Sequence, residues 1–292
     1  MPRRRPTVLT AAAFGATVLT AALTCGVTAA GGSLASGPGA PGRAAPAVVA
    51  DRTPATAPAS GTTTTKAAPL IDGGGKVVAA SRTFAIWWGP TAGFPADERT
   101  AMEQILAGFG GSSYLAIANQ YLRGATATST FAGSLVDTSA PPSKSLSVAD
   151  LAAEVTAAVS AGHVTPGPSD IYLVFTTNFV NGGSCAWHSS STIGSALVQL
   201  AYLPNTSGVK ACDAGTPFGG WSEGTRSVMD SSAHELMEAV TDAVPGTAWK
   251  DKNGAEIGDK CNATVGPVVL GTTTWYLQPE WSNSAQGCVL GA

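Results

Sequence analysis

The residues with the clearest chemical potential lie in segment 232–242, which reads Ser-Ala-His-Glu-Leu-Met-Glu-Ala-Val-Thr-Asp. It holds one of only three histidines, in a chain where 12% of residues are charged. Residues four apart on a helix share a face, so His234 and Glu238 would point the same way, with Glu235 beside them. This is the spacing of a zinc-metallopeptidase helix whose second histidine is replaced by glutamate. The segment therefore predicts a metal site.

Two more carboxylates follow this helix, in Glu256-Ile-Gly-Asp259. Catalytic zinc sites use three protein ligands and a water. His234 and Glu238 would supply two of them, and one of the later carboxylates the third. The arrangement resembles zincins in which the helix is followed by a ligand glutamate and a supporting aspartate. That resemblance implies Glu256 as ligand and Asp259 as support, although the spacing alone leaves the reverse assignment open.

The remaining roles follow from the same chemistry. Glu235 is predicted to be the general base that takes a proton from water. Asp242, one turn beyond Glu238, is a candidate to orient a ligand. His188 is a candidate for an additional ligand or an orienting group; the alternative is a hydrogen-bonded histidine in a loop. The simplest alternative for the whole motif is an amphipathic helix with acidic residues on its solvent face.

The charge of the ligands bears on the choice of metal. One imidazole and two carboxylates would largely neutralise a dication and weaken its Lewis acidity. Zinc is the first prediction, and manganese, calcium or iron are alternatives because they accept oxygen ligands readily.

Hydrophobic periodicity supplies the elements that must position these residues. The predicted strands are 83–88, 125–136, 171–175, 197–203, 268–270 and 273–277, and the predicted helices are 95–109, 113–121, 151–161 and 225–242. Strands and helices without strict alternation predict an α+β fold, a small mixed sheet packed with helices. The turn signal Lys252-Asn253-Gly254 predicts that the motif helix is followed by a hairpin carrying the third ligand.

The N-terminal region predicts export. Residues 1–30 combine three arginines, an apolar run and small residues before a cleavage site, as in a secretory signal peptide. Residues 31–69 are rich in Ala, Pro, Gly and Thr and predict a disordered linker or pro-segment. Residues 70–292 are long enough for one globular domain. We therefore expect a secreted, extracellular protein, with no stable membrane insertion after the signal is cleaved.

Cysteine usage agrees with export. Four cysteines remain outside the signal segment, and an even number in a secreted chain predicts two disulfides. Three pairings exist. Pairing sequence neighbours, Cys185 with Cys212 and Cys261 with Cys288, closes a modest loop each time and is our prediction. Zinc ligation by cysteine is the alternative, but the chain has no C-x-x-C pair.

Charge and aromatic content limit the partners. Removing the signal segment moves the formal net charge from −3 to −6, which argues against nucleic acid. The expected partner is a peptide or protein substrate, and we expect a monomer. An extracellular polysaccharide is the alternative, because four tryptophans fall near predicted loops: Trp221, Trp249, Trp275 and Trp281. Gly220-Trp-Ser222-Glu-Gly224 matches a serine-hydrolase elbow, but a loop rather than a strand leads into it.

The last third of the chain resembles a known family. The segments His234-Glu-Leu-Met-Glu-Ala-Val-Thr-Asp242 and Trp249-x-Asp-x-x-Gly-x-Glu-Ile-Gly-Asp-x-Cys261 look like the signature of secreted EXORDIUM-like (phosphate-induced) proteins and their bacterial relatives. The similarity covers most of 80–290, and Ala243 stands where members usually carry proline. It implies a zincin-like fold with a metal site; activity is not well defined for the family.

Together these observations predict a secreted metal-dependent hydrolase, a zinc metallopeptidase with Glu235 as general base. The alternative is a non-catalytic extracellular binding or signalling protein in which the same carboxylates hold a structural ion or none.

Overall fold

The computed structural model describes residues 68–292, apart from 181–183, 214, 216–219 and 263. The signal segment 1–30 and nearly all of the linker 31–69 lie outside these residues. The strands in chain order are β1 (Ile71–Asp72), β2 (Ala80–Trp88), β3 (Thr128–Asp137), β4 (Asp170–Thr176), β5 (Trp187–Ile193), β6 (Ala196–Pro204), β7 (Trp249–Lys250), β8 (Gly266–Leu270), β9 (Thr273–Leu277), β10 (Glu280–Ser282) and β11 (Gly287–Val289). The α-helices are α1 (Glu98–Phe109), α2 (Ser113–Ala116), α3 (Val148–Ser160) and α4 (Glu223–Thr241).

A five-stranded mixed sheet forms the centre, with strand order β3-β2-β4-β6-β5. Strands β3, β2, β4 and β6 run parallel to their neighbours, whereas β5 is antiparallel to β6. The reversal arises because two residues, Gly194 and Ser195, join β5 directly to β6 as a hairpin, with Gly194 at a φ of 61°. Strand β5 therefore forms one edge of the sheet.

Helices cover both faces of this sheet. Successive strand residues point to opposite faces, so Trp87 and Phe175 join the core that includes α1 and α4. Their neighbours Ile86 and Val174 pack in a second core with α3. The predicted α+β architecture, a mixed sheet packed with helices, is confirmed at this level.

Most predicted elements are present, and β5 is the longest of the strands that were not predicted. Strand β4 is buried along its whole length, as its apolar run predicts. Helix α3 begins with a capping box, in which the side chains of Ser147 and Asp150 each accept a hydrogen bond from the other residue's backbone N–H. Strand β5 was not predicted, because Ser189, Ser190 and Ser191 give its sequence little β propensity.

The predicted hairpin after the motif helix is wrong. Strand β7 pairs with β1 near the start of the domain rather than with a strand after the turn. The side chain of Asp251 accepts hydrogen bonds from the N–H groups of Asn253 and Ala255 and closes the turn on itself. The chain then continues through irregular backbone into a short 3₁₀ helix, Asp259–Cys261. The carboxylates of segment 256–259 are thus carried by a loop.

Two disulfides tie the loops around this region, and both have the predicted pairing. Cys185 is bonded to Cys212, and Cys261 to Cys288, with Cα–Cα distances of 5.5 and 5.8 Å. Disulfides of this kind indicate an oxidising compartment. Among the described residues, no helix has the length and apolar character needed to cross a membrane.

Candidate metal centre

Helix α4 carries three of the predicted site residues into the protein interior. Its N-cap is Ser222, and its apolar side chains pack into the core beside the sheet. His234, Glu235 and Glu238 are each 0% exposed. The alternative of an acidic, solvent-facing helix surface therefore does not describe this helix.

Three carboxylates meet one imidazole, that of His188. Strand β5 carries His188 opposite Ala201 of β6. Its Nδ1 lies 3.3 Å from Glu235 Oε2 and 3.4 Å from Glu238 Oε2. Its Nε2 lies 3.5 Å from Glu256 Oε2. The sheet edge, the motif helix and the loop after it thus converge on one buried point.

The electrostatic environment of His188 is strongly negative. Burial lowers the pKa of His188, but Glu256, Glu235 and Glu238 together raise it by more, so the net pKa lies well above its usual value. A single imidazolium carries one positive charge against three carboxylates. Buried carboxylates are costly unless positive charge or protons compensate them.

The donor set fits a divalent cation. His188, Glu235 and Glu238 each offer one ligand atom, and these atoms lie within 4.8 Å of one another. An imidazole with carboxylate oxygens suits zinc, and a carboxylate-rich set also suits manganese or calcium. The structure therefore contains a possible metal-binding group whose imidazole comes from β5.

A second group shares Glu238 with the first. His234, Glu238 and Asp259 also offer ligand atoms within 4.8 Å of one another. His234 Nε2 lies 3.2 Å from Glu238 Oε1, the oxygen that also accepts hydrogen bonds from the N–H groups of Gly258 and Asp259. The two oxygens of Glu238 therefore face different histidines.

The sequence spacing left open which of Glu256 and Asp259 is the ligand, and the two side chains have different positions in the structure. Glu256 is 1% exposed and directs Oε2 at His188, while its Oε1 accepts a hydrogen bond from Gly246 N–H at 3.3 Å. Asp259 is half-buried, belongs to the second group, and accepts a hydrogen bond from Glu256 N–H at 3.1 Å. Asp259 therefore helps to hold the loop that carries Glu256.

Asp242 organises the backbone that follows α4. Its carboxylate accepts hydrogen bonds from the N–H groups of Gly246, Thr247 and Ala248. Gly246 N–H also contacts Glu256. Asp242 is thus linked to the centre through one shared amide.

Sequence reasoning missed several buried polar residues next to His234. The Gln278 amide contacts His234 Nδ1, and the Gln278 backbone N–H donates to Asp230 Oδ1 at 2.6 Å. The Tyr114 hydroxyl lies 2.6 Å from Glu280 Oε1. Burial raises the pKa of Glu280 well above its usual value, although His234 opposes this. Gln278, Tyr114 and Glu280 lie 44 or more positions from their partners, so no local spacing could have grouped them with the motif. Asp230, by contrast, lies one helical turn before His234 on α4.

The serine motif has a structural role in the described residues. The Ser222 hydroxyl accepts a hydrogen bond from Thr225 N–H and donates one to Asp97 Oδ1 at 2.8 Å. These are the contacts of a helix N-cap. The third histidine, His163, is exposed in a turn after α3.

The four loop tryptophans are not equally accessible. Trp275 and Trp281 are 1% and 4% exposed, and Trp249 packs on Tyr121. Trp221 is half-buried and stacks on Trp275 at 5.6 Å. Core packing accounts for the two most buried rings.

Comparison with known proteins identifies no family. No family model matches this chain, and no curated protein matches it. Among solved structures, the crystal structure of metalloproteinase-II from Bacteroides fragilis is similar, with a TM-score of 0.31 and 11% sequence identity. The match covers 60% of this chain and 46% of that chain, so it spans less than half of that structure. A TM-score this low carries no conclusion about function.

Proposed function

We propose that this chain is a secreted metal-dependent hydrolase with a zincin-like fold that acts on peptide bonds. His188 Nδ1 and Glu238 would hold the cation, Glu256 would orient the His188 ring from its other nitrogen, and Glu235 would act as general base. The observation that carries the proposal is the convergence of three carboxylates on His188, with all four side chains at most 1% exposed.

Charge supports a cation at this point. A protonated His188 would leave two of the three carboxylates uncompensated, whereas a dication offsets two of them and leaves the imidazole neutral and able to coordinate. Zinc remains the first choice. The number of carboxylates keeps manganese and calcium as alternatives, which metal analysis distinguishes directly.

The proposed ligands differ from those predicted from sequence. His188 replaces His234 as the imidazole ligand, because three carboxylates face its ring. Glu256 faces the opposite ring nitrogen, Nε2, from which it would orient His188, whereas Asp259 belongs to the group around His234. His188, Glu238 and Glu256 come from separate elements, so the folded chain is needed to assemble the centre.

The chain's own residues supply proton handling and positioning. When bound, a divalent cation would polarise a substrate carbonyl and lower the pKa of water. Glu235 follows His234 in the motif, and its Oε2 lies beside His188 Nδ1. In this position the Glu235 carboxylate would accept a proton from the attacking water and later deliver it to the leaving amine.

A second candidate function has one observation in its favour. His188, Glu235 and Glu238 are 0% exposed, so a substrate must displace covering groups before reaching them. A structural ion in a non-catalytic extracellular binding or signalling protein needs no such access. Polysaccharide or cell-wall material is the partner class under this alternative.

The test of the proposed function is metal content followed by activity. The purified mature protein should contain about one equivalent of divalent metal, and His188→Asn should lose it. His163→Asn, an exposed histidine outside the centre, is the matched control and should keep it. Glu235→Gln should retain metal and lose peptide hydrolysis by about two or more orders of magnitude.

Each result has a defined meaning. Protein that contains no metal, and takes none up from micromolar zinc, would refute the proposed function. Bound metal with no hydrolysis of peptide libraries would favour the structural-ion alternative. Unchanged hydrolysis in Glu235→Gln would refute the base assignment while leaving the metal site in place.

A further inference from the structure

We infer that Cys288 Sγ is a site of thiol–disulfide exchange for low-molecular-weight thiols, and that opening the Cys261–Cys288 bridge weakens cation binding at the candidate metal centre. The exchange reaction depends on the bridge alone. Its effect on the cation rests on the proposed function, and the two parts have separate tests.

The two disulfides differ in how accessible their cysteines are. Cys288 is exposed, whereas its partner Cys261 is 5% exposed. Cys185 and Cys212, which form the other bridge, are 1% and 2% exposed. Exchange requires a thiolate to reach a sulfur atom. Both bridges have a sequence separation of 27, so loop length does not distinguish them, and the difference in exposure directs an incoming thiol to Cys288.

The reaction is a two-electron reduction of the bridge by two thiol molecules. The first thiol, as its thiolate, attacks Cys288 Sγ and forms a mixed disulfide with it, while the Cys261 sulfur leaves as a thiolate and takes up a proton from water. The second thiol attacks the mixed disulfide at the sulfur of the bound thiol, so Cys288 leaves as a thiolate that is then protonated. The products are two cysteine thiols and one oxidised low-molecular-weight disulfide.

The C-terminal segment that carries Cys288 has other anchors besides the bridge. Strand β11 pairs with β10. Beyond Cys288, the partly buried side chains of Val289 and Leu290 pack on the main core, and the Ala292 N–H donates to the Ser113 carbonyl at 2.9 Å. Reduction is therefore expected to loosen one connection in a domain that stays folded.

The bridge fixes one end of the loop that carries Glu256. This loop begins after β7, which is paired with β1, and ends at Cys261 in the short 3₁₀ helix. The N–H groups of Gly258 and Asp259, just before Cys261, donate to Glu238 Oε1 at 3.2 Å. Opening the bridge frees this end of the loop. The two N–H groups can then move away from Glu238, and Glu256 can move away from the imidazole that it faces.

A non-covalent contact lies beside the bridge and limits the effect of reduction. The Lys260 ammonium lies 4.3 Å from the ring centre of Trp281 and 3.5 Å from Asp251 Oδ2. Trp281 is the residue of β10 that pairs with Cys288. Because these contacts do not involve the disulfide, they persist after reduction. The expected loss of cation affinity is thus partial, about 10-fold, as for loss of a group that supports a metal ligand.

The exchange site is tested by graded treatment of the purified mature protein with dithiothreitol, followed by alkylation and peptide mass spectrometry. Cys261 and Cys288 should be alkylated at a dithiothreitol concentration about 10-fold lower than Cys185 and Cys212. With glutathione, the mixed disulfide should be found on Cys288. Equal reduction of the two bridges, or a mixed disulfide on Cys261, would overturn the inference. In guanidinium chloride the difference between the bridges should disappear, and a difference that persisted there would refute exposure as its cause.

Zinc affinity, measured by competition with a chelator, tests the effect on the metal centre. Protein reduced and alkylated at Cys261 and Cys288, and the double variant Cys261→Ser, Cys288→Ser, should each bind zinc about 10-fold more weakly than the oxidised protein. Alkylation and serine both prevent the freed thiols from binding zinc themselves. Ser147→Ala, which removes a helix cap on α3, is the control and should match the wild type.

The outcomes separate this inference from the proposed function. Unchanged zinc affinity in both reduced forms, or a loss accompanied by loss of helical circular dichroism, would refute the coupling to the metal centre. Oxidised protein that binds no zinc would refute the proposed function instead, while the alkylation pattern still decides the exchange site.

Discussion

Carboxyl groups in this protein are tuned by their immediate neighbours, and Asp97 and Glu98 show this away from the candidate metal centre. Burial raises the pKa of Asp97, but hydrogen bonds from Thr225 and Ser222 lower it by more, so the net shift is downward. Burial and repulsion from Asp97 raise the pKa of Glu98 to about 8. Within the described residues neither Glu98 oxygen has a hydrogen-bond partner. Consecutive residues thus favour opposite protonation states near neutral pH.

Glu98→Gln is expected to stabilise the protein in a pH-dependent way. The pKa of Glu98 is about 8 in the folded state, against the ordinary value of 4.5 that applies to the unfolded chain, so unfolding releases a proton between these values. The loss of stability caused by ionising the buried Glu98 is absent below pH 4.5, grows as pH rises, and is complete above pH 8. The substitution should raise the free energy of unfolding at pH 8 by on the order of 3 kcal/mol, measured by urea denaturation at several pH values.

The control for Glu98 lies on the same helix. Hydrogen bonds from Ser134 and Arg99 outweigh burial and lower the pKa of Glu103. Its contribution therefore has the opposite sign: present above the unfolded pKa and lost as pH falls. Glu103→Gln should destabilise the protein at neutral pH. An increase in the free energy of unfolding in both Glu98→Gln and Glu103→Gln would contradict the opposite pKa shifts.

At the scale of elements, the start of α4 depends on a contact with α1. The Ser222 backbone N–H and hydroxyl both donate to the carboxylate of Asp97, which precedes α1. The same hydroxyl caps α4 by accepting from Thr225 N–H. The helix that carries the motif is thus joined at its N-terminus to a second helix of the same core.

Ser222→Ala should lower the free energy of unfolding by about 1 kcal/mol, as loss of an N-cap does. Zinc binding and any hydrolysis should persist, because Ser222 lies twelve positions before His234. Ser147→Ala, at the N-cap of α3, should cost a similar amount and serves as the control. Abolished hydrolysis in Ser222→Ala with retained stability would instead favour the serine-hydrolase motif.

At the scale of the whole molecule, the two disulfides connect parts of the chain that the sheet does not. Cys261–Cys288 links the 3₁₀ helix after Glu256 to β11, and Cys185 of the Cys185–Cys212 bridge lies three residues before His188. Both bridges have a sequence separation of 27. Their chain-entropy contributions should therefore be equal, at about 3.5 kcal/mol each.

Replacing either cysteine pair by serine should lower the free energy of unfolding by this amount in chemical denaturation. The two double variants should perturb different parts of the proposed metal site. Loss of Cys185–Cys212 affects the segment that leads to the His188 imidazole, whereas loss of Cys261–Cys288 affects the loop that carries Glu256. A difference of several kcal/mol between the two double variants would show that native packing, rather than chain entropy, dominates one of them.

Local patterns in the sequence determined the motif helix, the buried strand β4 and the capping box of α3. Each depends on residues within a few positions of one another, where periodicity and hydrogen-bonding chemistry act directly. The two disulfide pairs were also predictable, because four cysteines outside residues 1–30 allow only three pairings and neighbours close the smaller loops.

Only the tertiary structure decided which side chains meet. His188 is 47 positions from Glu235, on a serine-rich strand with little β signal, and its place at the centre depends on pairing with β6. Gln278 is 44 positions from His234. Glu256 and Asp259 lie on one loop, but its path directs Glu256 to His188 and places Asp259 beside His234 and Glu238. Helix spacing specifies which residues share a face, but long-range packing selects what that face contacts. For this reason the sequence alone predicted a metal site, and the fold was needed to distinguish the histidine that faces three carboxylates, His188, from the histidine of the motif helix, His234.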